Sequence, residues 1–165
     1  MHNELPKRTT IRMPAYDYSQ AGCYFITICT QGKRHYFGEI VGATLCGRPH
    51  DPHIMIRSWL LEMINKFDDV DINEYVIMPN HVHFIVEKTS GHAGSPLRDI
   101  IGWFKTMTTN EYIRGVKNGL YEPFSERLWQ RNYYEHVIRD EQDYISIAEY
   151  IRNNPAKWEE DSLNV

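Results

Sequence analysis

Three features that would narrow the function class are missing from this 165-residue chain. Cysteine is scarce: Cys23, Cys29 and Cys46 fall in no C-x-x-C spacing, and Cys23 and Cys29 sit in an apolar run. That excludes a disulfide scaffold and points to small buried hydrophobes in a reducing compartment. No stretch of about 18 apolar residues occurs, and the start, Met1 to Thr10, is polar, so neither a spanning helix nor a secretory leader is expected. A soluble cytoplasmic protein with no membrane partner follows as the expectation. A basic excess is absent too: 18 Lys and Arg stand against 22 Asp and Glu, a formal charge of −4. Broad electrostatic binding of a polyanion is thereby excluded, and any such binding must use local clusters. The candidates are Lys7-Arg8 with Arg12, Lys33-Arg34, Arg127 with Arg131, and Arg139.

What is present reads as one domain over 1–165, long enough to bury about two-thirds of its unfolded surface. Tyr24 to Thr30 has strand character, and Tyr36 to Leu45 reads as a second strand or hairpin arm. Asp51 as N-cap and Pro52 open a helix whose Ile56, Trp59, Leu60, Met63, Ile64 and Phe67 recur at three and four. Ile72 to Met78 and His81 to Glu87 are strands joined by Pro79-Asn80, a hairpin signal. Ser95-Pro96 starts a helix bearing Leu97, Ile100, Ile101, Phe104 and Met107. Asn132 to Ile138 is a further strand, and Asp140 caps a last helix to about Asn153, stopped by Pro155. The order β-α-β-β-α-β plus a C-terminal helix gives the fold class: α+β, a ferredoxin-like split βαβ sandwich, an antiparallel sheet with helices on one face.

His81 and His83 flank one valine inside strand-like sequence, so period-two alternation puts both imidazoles on one face and Val82, Phe84 and Val86 on the other. A rigid pair of imidazoles suits a divalent metal, and equally suits two part-buried histidines bonded to backbone. Spacing alone leaves both open. On the last helix Tyr144, Ile147, Ala148 and Ile151 make the apolar stripe, while Tyr150 lies to one side with Asn154 one turn on. That fits a tyrosine aimed outside the helix's own packing face, or a surface tyrosine followed by a C-capping asparagine.

Met78-Pro-Asn-His-Val-His83, together with Tyr16-Asp-Tyr-Ser-Gln-Ala-Gly-Cys-Tyr-Phe-Ile-Thr-Ile-Cys-Thr30, Leu128-Trp-Gln-Arg-Asn-Tyr-Tyr-Glu-His-Val-Ile-Arg139 and Glu149-Tyr-Ile-Arg-Asn-Asn-Pro-Ala-Lys-Trp158, resembles the HUH single-tyrosine transposases, the insertion-sequence-200-like and REP-associated group. The resemblance implies the same ferredoxin-like fold and an enzyme that cuts and rejoins single-stranded DNA through a 5′-phosphotyrosine. It implies Tyr150 as nucleophile; His81, His83 and Asn154 as ligands of Mg²⁺ or Mn²⁺; and single-stranded or hairpin DNA as partner, with monomer or homodimer left open. Arg127, Trp129, Arg131, Tyr134, His136 and Arg139 are the DNA-contact candidates, aromatics beside arginines being what a base-stacking platform uses. His136 reads equally as a structural histidine, and Tyr133 and Tyr134 are rival nucleophiles without an asparagine four residues on. His35, His50, His53 and His92 show no ligand spacing. A DNA-repeat or single-strand binding protein with little cleavage is the alternative.

Overall fold

The computed structural model describes residues 20–41, 44–45, 50–91 and 94–164. The Lys7-Arg8 and Arg12 cluster, Cys46, His92 and the opening of the Tyr16–Thr30 motif lie outside them. Four strands form the main sheet: β1 (Gly22–Cys29), β4 (Val70–Met78), β5 (His81–Lys88) and β6 (Tyr134–Ile138), in spatial order β4-β5-β1-β6 with every neighbour antiparallel. Helix α1 (Pro52–Lys66) crosses between β1 and β4, and α2 (Leu97–Lys117) between β5 and β6. This is the expected split βαβ order.

The 36–45 stretch takes the hairpin form of the two expected for it, apart from the main sheet. Only β2 (Ile40–Val41) and β3 (Thr44–Leu45) pair, as a separate two-stranded hairpin. Asp51 takes the extended N-cap conformation of α1 but its side chain makes no capping bond, leaving Pro52 at the first turn to set the start.

Alternation sorts the core into two layers. Tyr24, Ile26 and Ile28 of β1 and Val82, Phe84 and Val86 of β5 pack with Ile56, Leu60 and Met63 of α1 and Ile100, Ile101 and Phe104 of α2. On the opposite face Phe25, Ile85, Val76 and Met78 receive Ile151 of α3 (Glu141–Asn153), with Tyr144 and Ile147 alongside. The last helix therefore lies alone across the face the other two leave bare.

A β-bulge between Ile72 and Glu74 makes that second layer possible. Before it, Val70 and Ile72 face the α1/α2 layer; after it, Tyr75 and Ile77 do, and Val76 and Met78 turn to α3. One extra residue inverts the phase of the strand. Glu74 is also brought within reach of Arg152 on α3, whose guanidinium grips both carboxylate oxygens. The N-terminus of α3 is held by Asp140, whose carboxylate accepts from the Asp143 N–H at 2.8 Å. No helix among the described residues is long and apolar enough to cross a membrane.

Candidate functional site

The two histidines open β5 on the α3 side of the sheet, opposite Cys29 and Thr27 of β1 in register. Both are buried, with ring centroids 4.5 Å apart. Their protonation follows from neighbouring bonds. The Asn80 amide nitrogen donates to the carbonyls of Lys33 (3.1 Å) and Leu163 (2.7 Å), so its oxygen is left to accept the Nδ1 proton of His81 at 2.7 Å. The His81 Nε2 is then a bare lone pair, buried and without a hydrogen-bond partner. His83 Nδ1 lies 2.7 Å from the Thr27 hydroxyl, which anchors the ring with its Nε2 toward Tyr150. Burial pushes His81 down to about 4, against the opposing pull of the Asp161 carboxylate, and burial with His81 beside it holds His83 well below the usual imidazole range. Neutral imidazoles are the form a cation requires.

Two groups arrive from α3 and the chain beyond it. Tyr150 is 47% exposed, and its hydroxyl stands 3.4 Å from His83 Nε2 with the rings 5.3 Å apart. Burial, and then Asp161, raise its pKa above the ordinary phenol value. Asn154, buried just past α3, donates its amide nitrogen to Asp161 at 3.2 Å, which leaves its oxygen buried and unpartnered. Asp161 Oδ2 is also 3.7 Å from His81 Nε2. A short 3₁₀ helix (Pro155–Glu160) roofs this corner, with Trp158 tilted over His81 at 5.9 Å.

The donor set fits a divalent cation. Ligand atoms of His81, His83 and Asp161 lie within 4.8 Å of one another, and two buried lone pairs, His81 Nε2 and Asn154 Oδ1, lack any partner. Two imidazoles with amide and carboxylate oxygens suit a borderline-to-hard ion.

The structure thus brings His81, His83, Tyr150 and Asn154 together and adds Asp161, Asn80 and Thr27, which sequence reasoning missed. Asn80 had a signal, being adjacent to His81. Asp161 had none, lying in irregular chain, and Thr27 enters only through strand register. The DNA-contact candidates divide. Tyr134 is exposed and lines a cleft beside His83 and Tyr150, whereas Arg127 and Arg131 line the next depression along. Trp129 is a correction: it is 4% exposed, packed on Phe37 and Phe104, with its indole N–H donated to Thr108 at 2.9 Å, so no face is open to a base. His136 is bonded to Asp143 of α3 at 2.9 Å, and Asp143 also accepts the Arg139 backbone N–H, so this pair ties β6 to α3. Of the rival tyrosines, both line the cleft, Tyr133 partly buried against the core and Tyr134 exposed. Cys23 and Cys29 are half-buried rather than buried.

A ferredoxin-like sheet bearing two neutral imidazoles beneath a helix-borne tyrosine defines the class of protein as an α+β domain with a cation-ready phenol site. Residues 50–154 match the family described as "Transposase IS200 like", and the chain belongs to that family of transposases. An uncharacterized protein of Haemophilus influenzae is 36% identical over 96% of this chain and 93% of its own length. The REP-associated tyrosine transposase of Escherichia coli K12 is 30% identical over 85% of this chain and 70% of its own. In fold the chain is similar to a REP-associated tyrosine transposase solved bound to a REP hairpin, with TM-score 0.63 and 20% identity over 89% of this chain and 74% of that one.

Proposed function

We propose that residues 1–165 form one HUH endonuclease domain that cuts and rejoins single-stranded DNA at hairpin or repeat sequences, using a divalent metal and the Tyr150 hydroxyl. The carrying observation is the Tyr150 oxygen 3.4 Å from Nε2 of His83, beside two unpartnered lone pairs, His81 Nε2 and Asn154 Oδ1. His81, His83 and Asn154 would hold Mg²⁺ or Mn²⁺, with Asp161 fixing the Asn154 amide so that its oxygen faces inward. The bound ion would supply Lewis-acid neutralisation of the non-bridging phosphate oxygens.

Tyr150 forms the new bond, its oxygen attacking phosphorus as the bond to the 3′ oxygen breaks; the phenol proton passes to water and the leaving oxygen is protonated to a 3′-OH. A 5′-phosphotyrosine results, and since one phosphodiester replaces another, the 3′-OH can reverse the attack without external energy. The raised phenol pKa keeps Tyr150 protonated at rest. Asn80 sets the tautomer of His81, Thr27 anchors the His83 ring, and α3, fixed by Asp140 and by the Arg152–Glu74 pair, sets the approach of the phenol.

Incubation with labelled single-stranded hairpins and Mn²⁺ tests the reading: a covalent adduct on denaturing gels should map to Tyr150 and vanish in Tyr150→Phe and in His81→Ala with His83→Ala. An adduct on Tyr134, or one persisting in Tyr150→Phe, would assign the wrong tyrosine.

A further inference from the structure

Two depressions flank Tyr150, and their chemistry differs. On the far side a space of about 470 Å³ is lined by Glu149, Glu160 and Asp161 against a single Lys157. On the β6 side a cleft of about 380 Å³ is floored by Phe25, and the rings of Tyr134 and Tyr150 stand edge-on to that floor at 6.2 and 6.1 Å. Both tyrosines remain nearly half exposed, at 43% and 47%. Gln130 and Asn132 line the same cleft and also the next depression, of about 430 Å³, where Arg127 and Arg131 are the charged groups and no acid contributes. A continuous path therefore leads from Tyr150 past aromatic faces and side-chain amides to two guanidinium groups.

We propose that this cleft seats an unpaired nucleobase next to the scissile phosphate, and that the strand runs on from it to place a following phosphate at Arg127 and Arg131. The proposal rests on the reading of Tyr150 as nucleophile and adds the binding site and path of its substrate. Three aromatic rings suit the π-face of any base, and the amides of Gln130 and Asn132 can meet a base edge. Volume is adequate, since small-ligand sites begin near 300 Å³. The acidic depression on the other side repels phosphates, so charge selects the direction of the strand.

The segment carrying these groups is built to keep its shape. Lys105 of α2 sends its ammonium under it and donates to three successive carbonyls, Gln130 at 2.9 Å, Arg131 at 3.3 Å and Asn132 at 3.2 Å. The same ammonium lies 5.4 Å from the Tyr133 ring centroid. The Gln130 side chain is tied to the Thr30 carbonyl at 3.2 Å and its backbone N–H to Cys29 at 2.9 Å. A loop pinned at this many points loses little entropy on binding a flexible strand.

The test uses Tyr150→Phe protein, which keeps the ring, and a DNA hairpin whose unpaired flank carries 5-iodouracil at each position in turn. Photocrosslinks at one flank position should map to the peptide containing Tyr134. Tyr134→Ala should weaken binding roughly ten-fold, within the range of one base–aromatic stack, with Tyr134→Phe restoring it. An abasic nucleotide at the crosslinking position should remove the difference between Tyr134→Ala and the parent. Crosslinks on the 157–162 segment, unchanged affinity in Tyr134→Ala, or no binding of the unpaired flank would each overturn the proposal. The two readings separate cleanly: a Tyr150 adduct in the unmodified protein with crosslinks at 157–162 sinks only the path of the strand, and crosslinks at Tyr134 with no adduct sink only the nucleophile.

Discussion

The Asn80 side-chain oxygen accepts the Nδ1 proton of His81 at 2.7 Å while its amide nitrogen is spent on the Lys33 and Leu163 carbonyls. One turn residue thereby sets the tautomer of an imidazole and fastens the end of the chain over the site. Asn80→Ala should weaken Mn²⁺ binding by about 10- to 100-fold, the usual cost of losing a group that orients a ligating histidine. Calorimetric titration of the folded variant with Mn²⁺ measures it, and unchanged affinity would mean that the tautomer is set elsewhere.

Acid should destabilise the metal-free protein through these histidines. Their folded pKa values are lowered, so as pH falls below about 6.5 the unfolded chain takes up protons before the folded one does. Their contribution is whole above that pH and is lost toward pH 4, where His81 titrates in the folded state; for His81 alone it is on the order of 3 kcal/mol. Urea midpoints across this window should fall for the parent and fall less for His81→Gln. Parallel curves would place the acid sensitivity in other groups.

Trp129→Phe separates packing from recognition. Losing the indole and its bond to Thr108 should cost roughly 2 kcal/mol of stability, visible in thermal melts. Hairpin affinity should stay unchanged, since the ring is enclosed by Phe37 and Phe104. A selective loss of DNA affinity would restore Trp129 to the interface.

With a net charge of −4, binding should depend only weakly on salt. On the order of two to five phosphate contacts at about 0.7 each sets the slope for single strands, and hairpins with unpaired flanks should outcompete plain duplex. Fluorescence anisotropy across a salt series decides this; equal or tighter duplex binding would contradict a stacking mode.

Local signals carried much of the architecture. Periodicity located α1, α2 and the β4–β5 hairpin, Asp140 marked the start of α3, and alternation placed His81 and His83 on one face. The off-stripe position of Tyr150 was legible for the same reason. What escaped depends on residues distant in sequence. Thr27 meets His83 across 56 residues, and Asp161 reaches His81 from irregular chain that has no period to read. Trp129 misled because an aromatic among arginines looks alike in a core and on a platform; only the Thr108 hydroxyl, 21 residues away, decides between them.

The bulge beside Asn73 gives β4 two reading frames joined at one residue. Upstream of it a side chain answers to the paired helices; downstream the same parity answers to the helix that carries Tyr150. Drawing Asn73 into the ladder would turn Val76 and Met78 inward and point Glu74 away from Arg152 while leaving the other layer's contacts at Val70 and Ile72 in place, whereas deleting Asn73 would let Glu74 follow Ile72 directly and keep every one of these facings. Seating of the helix that carries Tyr150 thus hangs on one residue standing outside the ladder, a dependence that the layer under α1 and α2 does not share at Val70 and Ile72.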